Sequence, residues 1–541
     1  MSPGRSMEAR LAVLVGGAVL FVYLASAGGR IVASDEHTMF LLTQSLVEHH
    51  TVAVPVGNGE VGPDGRLYPK AGLGQALAAV PFYVAGKLAA PFFPERLRPF
   101  VVRAVTSLVN PVAGALLAAV FLLLLLELGL AGREAVMLTA VLALGTPIWV
   151  YAKLFLGETL LALGLTLELY GVVRLRRAGG AGASALAALG AGFAVLVKYA
   201  ILPAALALFV PALPEIRRAR PWIAAMVVLA AFALLGGFYN VARTGDVLGT
   251  GYGRQATPAA FTTPLYVGVY GLLLSSGKGL LWFAPIVLLV PAGLAAWRRS
   301  DRWSAWAVTA AAVLTVLLYS SFEHWAGDGS WGPRYLVPLV PALVAAVGVC
   351  LADRASGDRR PWWAGAVLLG ALGVAVQIGG VAIYFGSQMR EAGDYPYTRA
   401  ISDPRFMSES HWNPNFSPIV GHWRMLARNL DEHVHGHVPR VSLGGEGAAS
   451  RLGVPDAQAE QLTHGFDLWP AYAVYAGLPA PFVLAVWGGL WLLALVYASW
   501  AWRWASAMEL RPRRAPPATP QEPHDVAPAD ARPSWSMTEP R

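Results

Sequence analysis

Apolar runs long enough to cross a membrane recur along almost the whole chain, and short arginine clusters separate them. A spanning helix needs about 20 apolar residues, and in hydrocarbon each backbone polar group must find its partner inside the segment, so the chain is constrained to a helical bundle. Composition agrees. Of 541 residues, 56% are hydrophobic and 14% charged, and mean hydropathy is +0.50. Soluble domains carry about 25% charged residues, so a soluble globular enzyme is excluded. The formal charge of +8 sits in short loops between spans, where topology requires it, so no nucleic-acid partner is expected. Cys350 is the only cysteine, which excludes internal disulfides, Cys-based zinc sites and iron–sulfur clusters.

Ala25, Ser26 and Ala27 have the small-x-small form of a cleavage site, but the preceding run is nearly span-length and further spans follow. The first helix therefore reads as retained. Short Lys/Arg-rich loops mark the cytoplasmic side. Arg5 and Arg10 place the N-terminus inside, and residues 29–99 form the first extracytoplasmic loop. Basic ends at Arg133, at Arg174, Arg176 and Arg177, at Arg217, Arg218 and Arg220, at Arg298 and Arg299, and at Arg354, Arg359 and Arg360 then alternate with outside loops. The run 182–213 breaks near Lys198 and Pro203, and 266–296 breaks at Ser275 to Gly279. The expectation is an all-α polytopic plasma-membrane protein of about 12 spans, with both termini cytoplasmic. Its parts are a transmembrane domain over 1–384, an extracytoplasmic polar segment over 385–470, a last span over 471–500 and a disordered cytoplasmic tail over 501–541.

The polar residues that topology does not require collect outside. Ser34, Asp35, Glu36 and His37 follow the first span; Thr38 to Val47 has the pattern of an amphipathic surface helix; Arg66, Leu67, Tyr68, Pro69 and Lys70 come later in the same loop. Glu158 lies after Lys153 at the junction of the third and fourth spans. The loop from Glu323 to Tyr335 gathers His324, Trp325, Asp328, Trp331 and Arg334. Each has a plain alternative. Asp35 and Glu36 read alone as solvated loop charges, Glu158 as an acid at the positive end of a helix dipole, the tryptophans and Tyr335 as interfacial aromatics, and Lys198 as either snorkelling or lining a cavity. Gly271 to Gly279 lacks the spacing and the Ser/Thr of a phosphate loop, so no nucleotide is expected there. His433, His435 and His437 match no standard metal spacing and read as a solvated loop. Trp412, Phe416, Trp423 and Trp469 read as the core of a small extracytoplasmic cap.

Together these loops supply acids, cations and aromatics at one membrane face, which suits an anionic amphiphilic substrate such as a sugar on a polyprenyl phosphate. The leaving phosphate needs Lys or Arg, the acceptor hydroxyl needs a carboxylate base, and the prenyl tail needs a groove open to lipid.

At these residues the chain resembles the C-type (GT-C) superfamily of membrane glycosyltransferases, in particular bacterial protein O-mannosyltransferases and aminoarabinose transferases. The carrying segments are Ser-Asp-Glu-His (34–37), Leu-Tyr-Pro-Lys-Ala-Gly-Leu-Gly-Gln (67–75), Ser-Ser-Gly-Lys-Gly-Leu-Leu-Trp-Phe-Ala-Pro (275–285) and Trp-Gly-Pro-Arg-Tyr-Leu-Val-Pro-Leu-Val-Pro (331–341). The resemblance implies juxtamembrane helices outside the membrane and Asp35 or Glu36 as the catalytic acid, with Glu158 as a second acidic motif. It implies a substrate site of Lys70, Tyr68, His324, Arg334 and Tyr335. Lys70 departs from the family pattern, being followed by Ala71 where relatives have proline, and Arg334 is the best remaining phosphate candidate. In some relatives a divalent cation (Mg, Mn or Ca) is held by the acidic motifs, here Asp35 and Glu158, and in others none is. The implied partners are a polyprenyl-phosphate-linked sugar donor, a glycan, lipid or protein acceptor, and membrane lipid. The competing classes are a transporter or lipid flippase, which calls for ionisable groups near mid-membrane in two related halves, and an inactive scaffold on the same fold.

Overall fold

The structure, a computed structural model, describes residues 3–217, 219–353, 358–394, 399, 403, 405–442, 458 and 460–509. Arg218, Arg354 and the tail beyond Glu509 lie outside them. Seven described helices are long and apolar enough to cross a membrane: Arg5–Ala25, Glu95–Leu128, Arg220–Thr244, Arg302–Ser320, Arg334–Ala352, Arg360–Ala382 and Ala480–Glu509. The other apolar runs are short or broken, so single long helices do not by themselves make up the expected count of 12. Gly132–Leu144 stops before Thr146 and Pro147, and only Ile148–Lys153 follows. Ala181–Val197 ends at Lys198, whose extended backbone (φ −155°, ψ 113°) breaks the helix before Leu202–Phe209. The run after residue 265 is divided into Leu265–Leu274, Leu280–Phe283 and Val290–Ser300. The last span begins after a break at Gly477 (φ 93°) and continues to Glu509, past residue 500, where Glu509 meets Arg133 at 2.8 Å.

Helices approach closely where glycine removes the side chain. A Cβ at Gly190 would lie 2.4 Å from the Gly164 carbonyl oxygen, and one at Gly171 would lie 2.4 Å from the Ala187 nitrogen. Glu158–Ala178 and Ala181–Val197 thus pack backbone to backbone, as small residues permit in membranes. A second apolar layer, built on Ile31, Met39, Phe40, Leu42, Tyr83, Val102 and Phe155, joins helices Ser34–Gln44, Gly74–Ala89 and Arg98–Ser107. Thr38, Met39, Phe40, Leu42 and Thr43 are buried in it, so Ser34–Gln44 is a packed element and not a surface helix. A two-stranded antiparallel hairpin pairs Gly59–Val61 with Leu67–Pro69, Glu60 opposite Tyr68.

The ion pairs sort into two groups. Arg133–Glu509, Arg176–Asp301, Arg299–Asp353 and Arg359–Glu134 join loops read as cytoplasmic. Arg30–Asp467, Lys153–Asp467, Arg254–Glu323, Arg334–Asp35 and Arg334–Glu158 join loops read as lying on the other side. Among the described residues no salt bridge joins the two groups.

Trp412, Trp423 and Trp469 of the 385–470 segment pack on separate parts of the bundle. Trp412 packs on Trp325 and Tyr270, Trp423 donates to the Ala375 carbonyl at 3.0 Å, and Trp469 donates to the Leu24 carbonyl at 2.9 Å. Each docks on the bundle because that is where the apolar surface lies.

Candidate functional site

A cavity of about 670 Å³ opens beside the second group of ion pairs. Asp35, Lys70, Glu158, His324, Arg334 and Tyr335 all line it, although they come from four separated segments. Arg334 links two of those segments to its own. Its Nη1 donates to Asp35 Oδ2 at 2.9 Å and its Nε to Glu158 Oε1 at 2.6 Å. The Glu158 side chain is 3% exposed and that of Arg334 17%, whereas Asp35 is 44% exposed toward the cavity. Glu158 Oε2 is buried and has no hydrogen-bond partner.

Each of these groups is held by a buried scaffold. Glu158 is the first residue of its helix, and the turn before it is fixed on both sides: Asn110 donates to the Leu156 carbonyl (2.7 Å) and Gln75 to the Phe155 carbonyl (2.6 Å). The Phe155 N–H donates to Glu36 at 2.8 Å, and the Val32 and Ala33 N–H groups donate to the same carboxylate. Glu36 is thereby spent on backbone and does not line the cavity. Burial raises its carboxyl above the ordinary range, partly offset by the three N–H donors. Arg334 opens a short 3-10 turn after a loop in which Gly327, Asp328 and Gly332 adopt positive φ. That loop is tied down by Tyr151 donating to the Trp331 carbonyl (2.9 Å) and by Lys278 Nζ donating to the carbonyls of Asp328 (2.8 Å) and Ser330 (2.6 Å).

Tyr68 does not reach the cavity either; its hydroxyl donates to Asp64 at 2.7 Å. Lys70 does, with Glu60 3.5 Å away. Buried Arg243 donates to the Pro69 carbonyl (2.8 Å) and the Thr250 carbonyl (2.9 Å), joining the Lys70 segment to the loop that adds Tyr252 and Gln255 to the wall.

Lys198 settles in favour of the cavity. Its Nζ sits 4.4 Å from the Tyr335 ring centroid and 5.4 Å from that of Tyr319. Those two rings stack at 4.0 Å and 6°. Among the described residues Lys198 makes no salt bridge within 4 Å, although Glu158 and Asp35 attract it at longer range, whereas Arg334 is committed to two acids. Asn58 was not legible in the sequence as a site residue; it donates to Asp35 Oδ1 at 2.8 Å. Burial acts to raise the Asp35 carboxyl, but Arg334 and the Asn58 amide outweigh it and hold it below its ordinary range. His324 meets the Asp328 carboxylate at 3.0 Å; burial lowers the imidazole and Asp328 outweighs that, so it titrates above its ordinary value.

A divalent cation at Asp35 and Glu158 would have to replace the guanidinium that already lies between them. No group of three His, Cys, Asp or Glu side chains is placed to hold a metal among the described residues, and oxygen-ligated cations need about six donors. The donors in this arrangement do not fit one. What the cavity offers is an ionised carboxylate open to it, a lysine that forms no direct salt bridge among the described residues, an aromatic platform and an apolar flank. Leu202 and Pro203 carry that flank to the exposed face of Leu202–Phe209, where Leu206 is also exposed.

No family model and no curated protein matches the chain. Among solved structures, it is similar to ArnT of Cupriavidus metallidurans bound to undecaprenyl phosphate, at 15% identity over 80% of this chain and 82% of that one, with a TM-score of 0.44. The apo form of the same protein matches at 14% identity over 92% of this chain and 76% of that one, with a TM-score of 0.45. The apo oligosaccharyltransferase of Archaeoglobus fulgidus matches at 14% identity over 76% of this chain and 63% of that one, with a TM-score of 0.40.

Proposed function

We propose that the protein is an integral membrane glycosyltransferase that moves a sugar from a polyprenyl-phosphate carrier to an acceptor on the extracytoplasmic side. The observation that carries this reading is the cavity itself: one carboxylate kept ionised by Arg334 and Asn58 shares with Lys198 a space whose apolar wall reaches the exposed face of Leu202–Phe209. The sequence resemblance to C-type membrane glycosyltransferases supplies the chemistry.

In this mechanism the acceptor hydroxyl attacks the anomeric carbon and its proton passes to Asp35. The anomeric C–O bond breaks with its electron pair going to the phosphate, which leaves as polyprenyl phosphate. Attack from the face opposite the leaving group inverts the anomeric centre. Lys198 and Lys70 stabilise the charge that develops on the phosphate. Glu158 and Arg334 set the position and ionisation of Asp35, and Glu36 braces the turn that presents Glu158. Tyr335 and Tyr319 give the sugar ring or prenyl head an aromatic face.

The test incubates the purified protein with a panel of polyprenyl-phosphoryl hexoses and pentoses and measures released polyprenyl phosphate together with a new glycosidic product. Both are expected for at least one donor. Reconstituted vesicles that translocate the lipid across the bilayer and form no glycosidic bond would replace this reading with the transporter one.

A further inference from the structure

The helix Pro418–Val434 carries three faces. Gly421, His422, Met425 and Asn429 are buried against the protein. Arg424 and Arg428 lie 3.7 and 3.8 Å from Glu391, and Asp431 is exposed beside them. The third face is apolar and uncovered: Val420, Trp423, Ala427, Leu430 and Val434 are all exposed, Leu430 by 52% and Val434 by 82%. Their spacing of three, four, three and four residues places them in one stripe along the helix. In water such a stripe is a liability on a surface that has polar residues to spare.

Its depth identifies what covers it. The Trp423 indole N–H donates to the carbonyl of Ala375, inside the spanning helix Arg360–Ala382. Ala375 lies seven residues before Ala382, and at 1.5 Å per residue this is about 10 Å below the end of that span. Leu372 and Ile378, on either side of Ala375 in this apolar span, are themselves exposed. At the other end of the stripe, His433 meets the Tyr475 hydroxyl at 2.8 Å, in the short helix just before the last span. The helix therefore runs from within the bilayer edge along its surface, with its apolar stripe continuous with lipid-facing side chains.

We infer that Pro418–Val434 is an interfacial helix whose Val420, Trp423, Ala427, Leu430 and Val434 side chains insert into the leaflet at the candidate-site end, so that the partner of this face is membrane lipid. A helix of this kind rests about 5–10 Å into the headgroup and acyl boundary, which matches the depth read from Ala375. The docked helix is also joined to the candidate site. Just before it, the Ser417 hydroxyl donates to the Ser276 carbonyl at 2.6 Å, and the Gly277 N–H donates to the His411 carbonyl at 3.2 Å. The next residue, Lys278, holds the loop that leads to Arg334.

The experiment places single nitroxide labels on a Cys350→Ala background, at Ala427→Cys, Leu430→Cys, Val434→Cys and Asp431→Cys, in nanodiscs of phosphatidylethanolamine and phosphatidylglycerol. Collision with oxygen is compared with collision with a water-soluble nickel chelate. The expected result is oxygen-favoured collision at 427, 430 and 434 and nickel-favoured collision at 431. Nickel-favoured collision at all four positions overturns the inference. Dipolar broadening between labels at 430 overturns it too, because a second copy of the chain would then cover the stripe. The exposure of Val434 lets that position decide the matter if Leu430→Cys does not fold.

Discussion

Replacing Arg334 with methionine keeps an unbranched apolar stem and removes the guanidinium with its charge and donors. Asp35 and Glu158 then face one another without the cation between them. The Glu158 side chain is 3% exposed, so its carboxylate gains little from water when the 2.6 Å bond is lost. Breaking a buried pair by deleting one partner costs about 3–5 kcal/mol, because the remaining charge is left uncompensated. The Asp35 half adds less, since that side chain is 44% exposed and open pairs contribute about 0–1 kcal/mol. The double variant Arg334→Met/Glu158→Gln removes the orphaned charge and should regain most of the loss. A double-mutant cycle on the unfolding midpoint in detergent should give a coupling of about 1–3 kcal/mol, the upper part of the range for residues in contact. If the two substitutions add independently to within about 0.5 kcal/mol, the guanidinium does not join these acids and the construction of the cavity described above is wrong.

Lys198→Met should change the unfolding free energy by no more than about 1 kcal/mol, since no direct salt bridge is lost. It should weaken donor binding by roughly 10- to 150-fold, the equivalent of one charge-assisted hydrogen bond of about 1.5–3 kcal/mol; KM measured against kcat separates this from a defect in chemistry. Asp467→Asn should destabilise the protein by about 3–5 kcal/mol, because Arg30 at 2.7 Å and Lys153 at 2.6 Å both depend on that carboxylate. Burial raises the Asp467 carboxyl, and Lys153 and Arg30 more than reverse it, so it titrates well below its ordinary value. A depressed folded-state value means that its contribution is complete above the unfolded value near pH 4 and fades as pH falls below it. The stability gap between wild type and variant should therefore narrow in acid; a gap independent of pH would contradict the pairing.

How far the sequence could be read depended on which physical rule governed each residue. Asp35, Glu158, Lys70, His324, Arg334 and Tyr335 stood out as polar residues that topology did not demand, and the fold brings them into one cavity. Asp35 and Glu36 were indistinguishable because neighbours on a helix point about 100° apart, and only the docking of Ser34–Gln44 against Phe155 decides which of them faces the core. Tyr68 and Lys70 stand two apart, yet the strand ends at Pro69, so the alternation that would put both on one face does not carry through. Lys198 was ambiguous because its position depends on a helix break whose placement was legible but whose orientation was not. The number of spans was the least legible feature, because hydropathy registers apolar length and several of the apolar runs fold as short or broken helices rather than as single long ones.

The central claim is that Asp35 is the group that takes the proton from the acceptor. Its side chain is open to the cavity and held by Arg334 and Asn58, and asparagine preserves its shape and its contact with Asn58. With the donor that gives product with wild type, Asp35→Asn should fold and insert normally and lose about 10²- to 10⁴-fold of the transfer rate, the usual worth of a positioned general base. Transfer at the wild-type rate by correctly folded Asp35→Asn would contradict the account.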